Sequence, residues 1–167
     1  MAETFYLLIA GSRDFGAYDR FEFSNEILTT ETICEVICNA MLAKQIEMGR
    51  NICIVHGDAR GADTVGKLYG NRHGYEVMAF PAKWDMYGKS AGYIRNSEMY
   101  DFLKGKEYKG ALLFWDGMSR GTRNNFLQAC KRGIDIKCFN YLAQRFLTQD
   151  EIQEIYQDCL YENRSYS

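Results

Sequence analysis

Residues 51–65 read Asn-Ile-Cys-Ile-Val-His-Gly-Asp-Ala-Arg-Gly-Ala-Asp-Thr-Val. The apolar run 51–55 stops at His56-Gly57, and a second glycine, Gly61, opens the segment 62–72 with helical character. A run that is apolar at every position, not at alternate ones, describes a strand covered on both faces. The same pattern recurs along the chain. Residues 5–10 (FYLLIA) end at Gly11, 75–80 (YEVMAF) at Pro81 and 111–115 (ALLFW) at Asp116-Gly117, while 134–139 (IDIKCF) completes five expected strands. Helices are expected at 30–47, 62–72, 91–103 and 122–132. The last helix begins with Thr148 and Glu151 at capping-box spacing, and Ile152, Ile155, Tyr156, Cys159 and Leu160 follow at helical intervals.

Strands alternating with helices of this length imply right-handed crossovers and a mostly parallel sheet with helices on both faces. The expectation is α/β: a single Rossmann-like domain over residues 1–167, its sheet five-stranded or slightly larger, with 146–167 as a C-terminal helix and tail. One proline, Pro81, leaves no Pro-rich linker to divide the chain.

The chain has 167 residues, 47% hydrophobic and 25% charged, the composition of a globular protein, not of a disordered or collagenous one. No apolar run approaches the roughly 18–20 residues of a membrane helix, and no basic stretch precedes the first apolar run as in a signal peptide. A soluble, cytoplasmic protein with no membrane partner is expected. The net charge of −2 opposes a surface built to neutralise duplex DNA. Charge is nonetheless uneven: 119–137 holds Arg120, Arg123, Lys131, Arg132 and Lys137 against Asp135. None of the six cysteines forms a C-x-x-C, and neither histidine sits at zinc-finger spacing, so reduced core cysteines and no metal are expected.

In open α/β sheets ligands bind outside the carboxyl ends of the strands. After the first strand, Gly11-Ser12-Arg13 offers backbone N–H groups and a forked cation, or a plain turn with a surface arginine. After the second, Gly57-Asp58-Ala59-Arg60-Gly61 leads into a helix whose first N–H groups are unpaired. Asp63 there is a helix cap or a contact to a ribose hydroxyl, and His56 is read as structural. The segment is not G-x-G-x-x-G. After the third, Trp84 and Tyr87 offer a stacking wall, or are core aromatics. Gly88-Lys89-Ser90 lacks the earlier glycine of a P-loop, and Arg95 and Asn96 fall one turn into the next helix. After the fourth, Asp116-Gly117-Met118-Ser119-Arg120-Gly121-Thr122 forms a second Gly-rich entry to a helix.

Gly11-Ser12-Arg13 with Phe15, Gly57 to Asp63, Pro81 to Trp84, Gly88 to Gly92, Arg95-Asn96 and Gly121-Thr122 together resemble the YspA-like members of the SLOG superfamily. That superfamily includes the Lonely-Guy phosphoribohydrolases and the DprA/SMF proteins. The resemblance implies a modified Rossmann fold that binds nucleotides or their derivatives, often as a homodimer. In the phosphoribohydrolases the loop after the fourth strand resembles P-G-G-x-G-T-x-x-E. Here Asp116 replaces the proline and Asn125 the glutamate. Splitting a ribosyl–base bond passes through an oxocarbenium-like state that a carboxylate stabilises, and Asn125 has no charge to offer.

The expected function is therefore binding or sensing of a nucleotide-derived small molecule, an adenosine phosphate or an ADP-ribose-like compound, with no further cofactor. Arg13, Arg60, Arg95 and the loops 57–61 and 117–122 would hold phosphate and ribose, with Ser12, Asn96 and Ser119 beside them and Trp84 or Tyr87 on the base. The alternative is an N-glycosidase acting on a nucleoside phosphate or nucleotide-sugar, with Asp58 or Asp116 as relocated catalytic carboxylate. A third reading is a single-stranded nucleic-acid module.

Overall fold

The computed structural model describes residues 3–16, 21–23 and 26–165. In chain order these form β1 (Thr4–Gly11), β2 (Phe21–Phe23), β3 (Glu26–Leu28), α1 (Thr30–Glu47), β4 (Asn51–His56), α2 (Ala62–Arg72) and β5 (Glu76–Ala79). There follow α3 (Trp84–Tyr87), a 3-10 turn (Gly88–Ser90), α4 (Ala91–Lys104), β6 (Tyr108–Trp115), α5 (Arg120–Lys131), β7 (Ile136–Asn140), β8 (Arg145–Phe146) and α6 (Gln149–Ser165). The α/β expectation holds. The main sheet has six strands in the order β5-β4-β1-β6-β7-β8, all pairings parallel except β7–β8. The sequence reading did not anticipate β8, nor the separate antiparallel pair β2–β3. The end of the C-terminal tail, 166–167, lies outside the described residues.

Strand residues alternate between two cores. Phe5, Leu7 and Ile9 of β1 face one side, with Ile33, Cys34, Ile37, Cys38 and Leu42 of α1 and Tyr69 of α2. Leu8 and Ala10 face the other, with Met99, Tyr100 and Leu103 of α4, Phe126 of α5 and Ile152 of α6. Both faces of the central strands are thus buried, which is why their sequences show no polar alternation. None of the six cysteines is in a disulfide, and only Cys130 is not buried.

The helix ends follow their sequence signals. Thr29 caps α1 by accepting the Thr32 N–H at 3.1 Å. At α6 the capping box closes both ways: Thr148 N–H reaches Glu151 Oε1 at 3.0 Å, and Glu151 N–H reaches Thr148 Oγ1 at 3.1 Å.

The strand order sets the position of the site. From β1 the chain runs outward through β4 to β5, then crosses back to begin again at β6 on the other side of β1. The carboxyl ends of β1 and β6 therefore lead away in opposite directions and open a crevice, the topological switch point of a doubly wound sheet. No helix among the described residues is long and apolar enough to cross a membrane.

Candidate functional site

A cleft of about 410 Å³ occupies that crevice, within the usual range for small-molecule sites. Gly11, Arg13 and Asp14 enter it from the end of β1, and Arg60 and Asp63 from the loop and helix after β4. Trp84, Lys89 and Tyr93 stand along α3 and the start of α4, with Arg95 and Asn96 one turn further on. Asp116, Ser119, Gly121, Thr122 and Asn125 close the opposite side, from β6 into α5.

The loop after β4 is locked by two side chains. Asp63 Oδ2 accepts the Gly57 N–H at 2.8 Å, and the Arg95 guanidinium donates Nη1–H to the Gly57 carbonyl. Both sides of the Gly57 region are thus held by charged groups, one from α2 and one from α4. A side chain at 57 could not coexist with this arrangement, since a Cβ there would lie 2.6 Å from Arg95 Nη1 and 2.8 Å from Asp63 Oδ2. Gly61, at φ +83°, presses the same loop against the β1 turn, where a Cβ would lie 2.4 Å from the Ser12 carbonyl oxygen.

Burial governs the charges. Asp63 is 4% exposed. Loss of hydration pushes its carboxyl up to about 6, although Arg95 and the Gly57 N–H pull the other way. Arg95 is shifted down, chiefly by burial, with Asp63 opposing. Its Nε–H is also committed, to Asn96 Oδ1 at 2.9 Å. Burial likewise shifts His56 down, and its Nδ1 accepts the Asp58 N–H at 3.0 Å. His56 therefore shapes the loop, in keeping with its structural reading, and Asp58 takes a positive φ of 56° there.

The loop after β6 is held by uncharged donors and by one carboxylate turn. Asp116 Oδ1 accepts the N–H groups of Met118 and Ser119, each at 2.8 Å. Ser12 Oγ accepts the Asp116 N–H at 3.1 Å and donates to Ser119 Oγ at 3.3 Å, which donates to Thr122 Oγ1 at 2.6 Å. This hydroxyl chain ties the β1 turn to the β6 loop and ends at the cleft. The Ser119 side chain, so engaged, does not cap α5, which leaves first-turn N–H groups of that helix for other partners.

Most of the expected site residues converge. Asp58 and Gly57 line an adjoining recess with Arg13, Arg60, Trp84 and Arg95. Ser12 is buried behind the cleft wall, while the half-buried Gly61 and the exposed Gly117 do not line the cleft. Asp63 is not the cap of α2, since Gly61 occupies that position. Of the two aromatic candidates Trp84 faces the cleft, at 49% exposed, while Tyr87 does not. Tyr93, not singled out from the sequence, stands on the cleft wall at 48% exposed. Its signal was its place in the first turn of a helix already assigned to the site. Asn125 is 4% exposed; its Oδ1 accepts from the Tyr100 hydroxyl at 2.9 Å and its Nδ2–H donates to the Gly121 carbonyl at 3.1 Å.

Among curated proteins, Gene 61 protein of Mycobacterium phage D29 is similar to this chain, 36% identical over 90 residues that cover 51% of this chain and 69% of that protein. No solved structure matches. The profile of the YspA, cpYpsA-related SLOG family matches residues 6–87, which run from β1 to the end of α3 and hold Arg13, the 57–63 loop and Trp84. On these matches the chain belongs to the YspA, cpYpsA-related SLOG family.

Proposed function

We propose that the chain binds a nucleotide-derived ligand in this cleft and acts by binding or sensing it, the ligand being an adenosine phosphate or an ADP-ribose-like molecule. Membership of a SLOG family suggests a nucleotide-related function. The observation that carries the reading is the pairing of uncommitted cations with a flat aromatic surface. Arg13 and Arg60 are exposed at the cleft and form no ion pair among the described residues, and Trp84 stands beside them. Guanidiniums grip phosphate through paired donors, and an indole stacks on a base. Asn125 supports binding over cleavage, because both ends of its amide are already engaged and it brings no negative charge.

A second reading, N-glycosidic hydrolysis, has one observation in its favour. Asp63 is a buried carboxyl in the cleft with its proton affinity raised to about 6, the kind of perturbation that clusters at functional sites. A nucleic-acid track along 119–137 loses support, because Arg123 pairs with Glu162 at 3.0 Å and Arg132 with Asp101 at 2.7 Å.

The test is a thermal-shift screen against AMP, ADP-ribose, NAD and cytidine and guanosine analogues, with each mixture then taken to mass spectrometry. Under the binding reading a ligand raises the melting temperature in a concentration-dependent way, is recovered intact, and loses its effect in R60A. Free base and a ribose phosphate in the mixture would replace this reading with the hydrolytic one.

A further inference from the structure

We infer that residues 81–90 form a strap that closes over the cleft when an anionic ligand binds, carrying Trp84 and Lys89 onto it. The inference rests on the nucleotide reading above and adds a moving part to that site.

The strap is weakly tied to the body. It departs after Phe80, whose N–H reaches the His56 carbonyl at 2.8 Å, and rejoins at the buried Ala91. Between these anchors no residue of α3 or of the 3-10 turn is buried. The N–H groups of Met86 and Tyr87 return to the Lys83 carbonyl at 3.1 and 3.0 Å, and that of Gly88 to the Trp84 carbonyl, so α3 closes on itself. No side chain of 81–90 forms a hydrogen bond or ion pair among the described residues. A helix of four residues has little stability of its own. Segments with few buried apolar contacts and exposed backbone hydrogen bonds are those that open at least cost. Gly88, at φ +56° and ψ −132°, joins α3 to the 3-10 turn in a conformation that suits glycine. The indole edge rests near Gly92, where a Cβ would lie 3.6 Å from Trp84 Cη2, and glycine presents no side chain to hold the ring in one place.

Two forces favour closure. Met86 is 67% exposed and Tyr87 40%, and with Trp84 they put three large apolar side chains in water within four residues, area that closure can cover. Charge supplies the trigger. Lys89 lines the cleft from the strap, and Arg13 and Arg60 line it from the body. None of these three cations has an ion-pair partner among the described residues. Asp14, Asp63 and Asp116 share that lining, yet none pairs with Lys89. Asp63 accepts from Gly57, and Asp116 from Met118 and Ser119. Like charges on strap and body repel each other until an anion lies between them and attracts both. The ligand therefore interacts more strongly with the closed form than with the open one, which is the condition for driving closure.

Hydrogen exchange on the full chain, alone and with saturating AMP or ADP-ribose, tests this, with calorimetry to establish binding. In the ligand-free protein the amides of 86–88 should exchange about 100-fold or more faster than those of the buried turns of α4. Ligand should slow them about tenfold or more, and K89Q should shrink that slowing. Trp115 is buried, so W115F leaves Trp84 as the one tryptophan, and its stopped-flow fluorescence should show an observed rate that saturates as ligand concentration rises. Slow exchange of 86–88 in the ligand-free protein overturns the strap. So does binding with exchange there unchanged, slowing that K89Q leaves intact, or an observed rate linear in ligand at all concentrations, and in each case the nucleotide reading stands. If neither compound binds, both readings fall.

Discussion

The loops after β4 and β6 occupy equivalent places, each carrying the chain from a parallel strand into a helix at the cleft, yet they are held by different chemistry. The β4 loop is clamped by ionisable side chains, Asp63 and Arg95, the latter 38 residues away in sequence from the glycine it grips. The β6 loop is held by N–H groups on Asp116 and by the hydroxyls of Ser12, Ser119 and Thr122. A buried charged clamp places its hydrogen bonds firmly, but its cost depends on ionisation. A hydroxyl chain is weaker at each link and indifferent to pH. The protein thus pairs one wall clamped by a buried Asp–Arg pair with one tied by hydroxyls and a single carboxylate turn.

The largest way to break this contrast is at the two helix-opening glycines. G61A places a methyl 2.4 Å from a backbone oxygen at a positive φ, and should cost several kcal/mol, on the order of 3. G121A meets no atom within 4 Å and should be neutral or stabilising by at most about 1 kcal/mol. Urea denaturation of both variants checks the pair, and equal losses would show that the two loops are equally tolerant.

Next in size is the pH dependence of the clamp. The folded-state value of Asp63, about 6, lies above the ordinary 3.8, so folding favours its neutral form. Its contribution is complete below about pH 3.8 and is lost as pH rises through about 6. D63N keeps an acceptor for Gly57 and removes the titration. The stability of D63N relative to the parent should therefore rise by as much as about 3 kcal/mol between about pH 4 and 7. Denaturation at several pH values reads this, and a difference that stays flat would place Asp63 outside the role given to it.

The smallest effect is expected at Ser12. S12A leaves the Asp116 N–H without its acceptor and should cost about 1–2 kcal/mol. Because the chain it interrupts is uncharged, that cost should be the same at about pH 5 and 8. A pH-dependent cost would mean that the β6 loop shares the electrostatics of its neighbour.

Local signals read well from the sequence because they are local physics. The segments 30–47 and 62–72 are helices over those same residues, since capping residues and apolar stripes lie within the segments themselves. The Thr148–Glu151 box likewise closed as its spacing required. Partnerships across the fold were hidden. Nothing near Gly57 announces that Arg95 will seize its carbonyl, and so the arginine read as a phosphate ligand has two of its donors committed inside the protein. Ser12 read as a ligand contact, but its hydroxyl faces the β6 loop, a direction that only the pairing of Gly11 with Phe114 sets. Asn125 read as a missing charge, yet Tyr100 shows it to be a satisfied buried amide. The strand β8 was illegible because two residues carry no period at all.

That two-residue strand has a further consequence. An open sheet presents unpaired backbone groups at its two margins, which are templates for unwanted association between chains. Here one margin is β8, only two residues long, with Arg145 tied to Glu151 of α6 at 2.7 Å. The other is β5, four residues long, beginning with the charged Glu76 and followed closely by Pro81. The long, sticky strands β1 and β6 lie in the interior of the ladder. Brief, charged margins around an apolar centre discourage edge-to-edge growth, so the same arrangement that places the cleft at mid-sheet also guards the chain against aggregation.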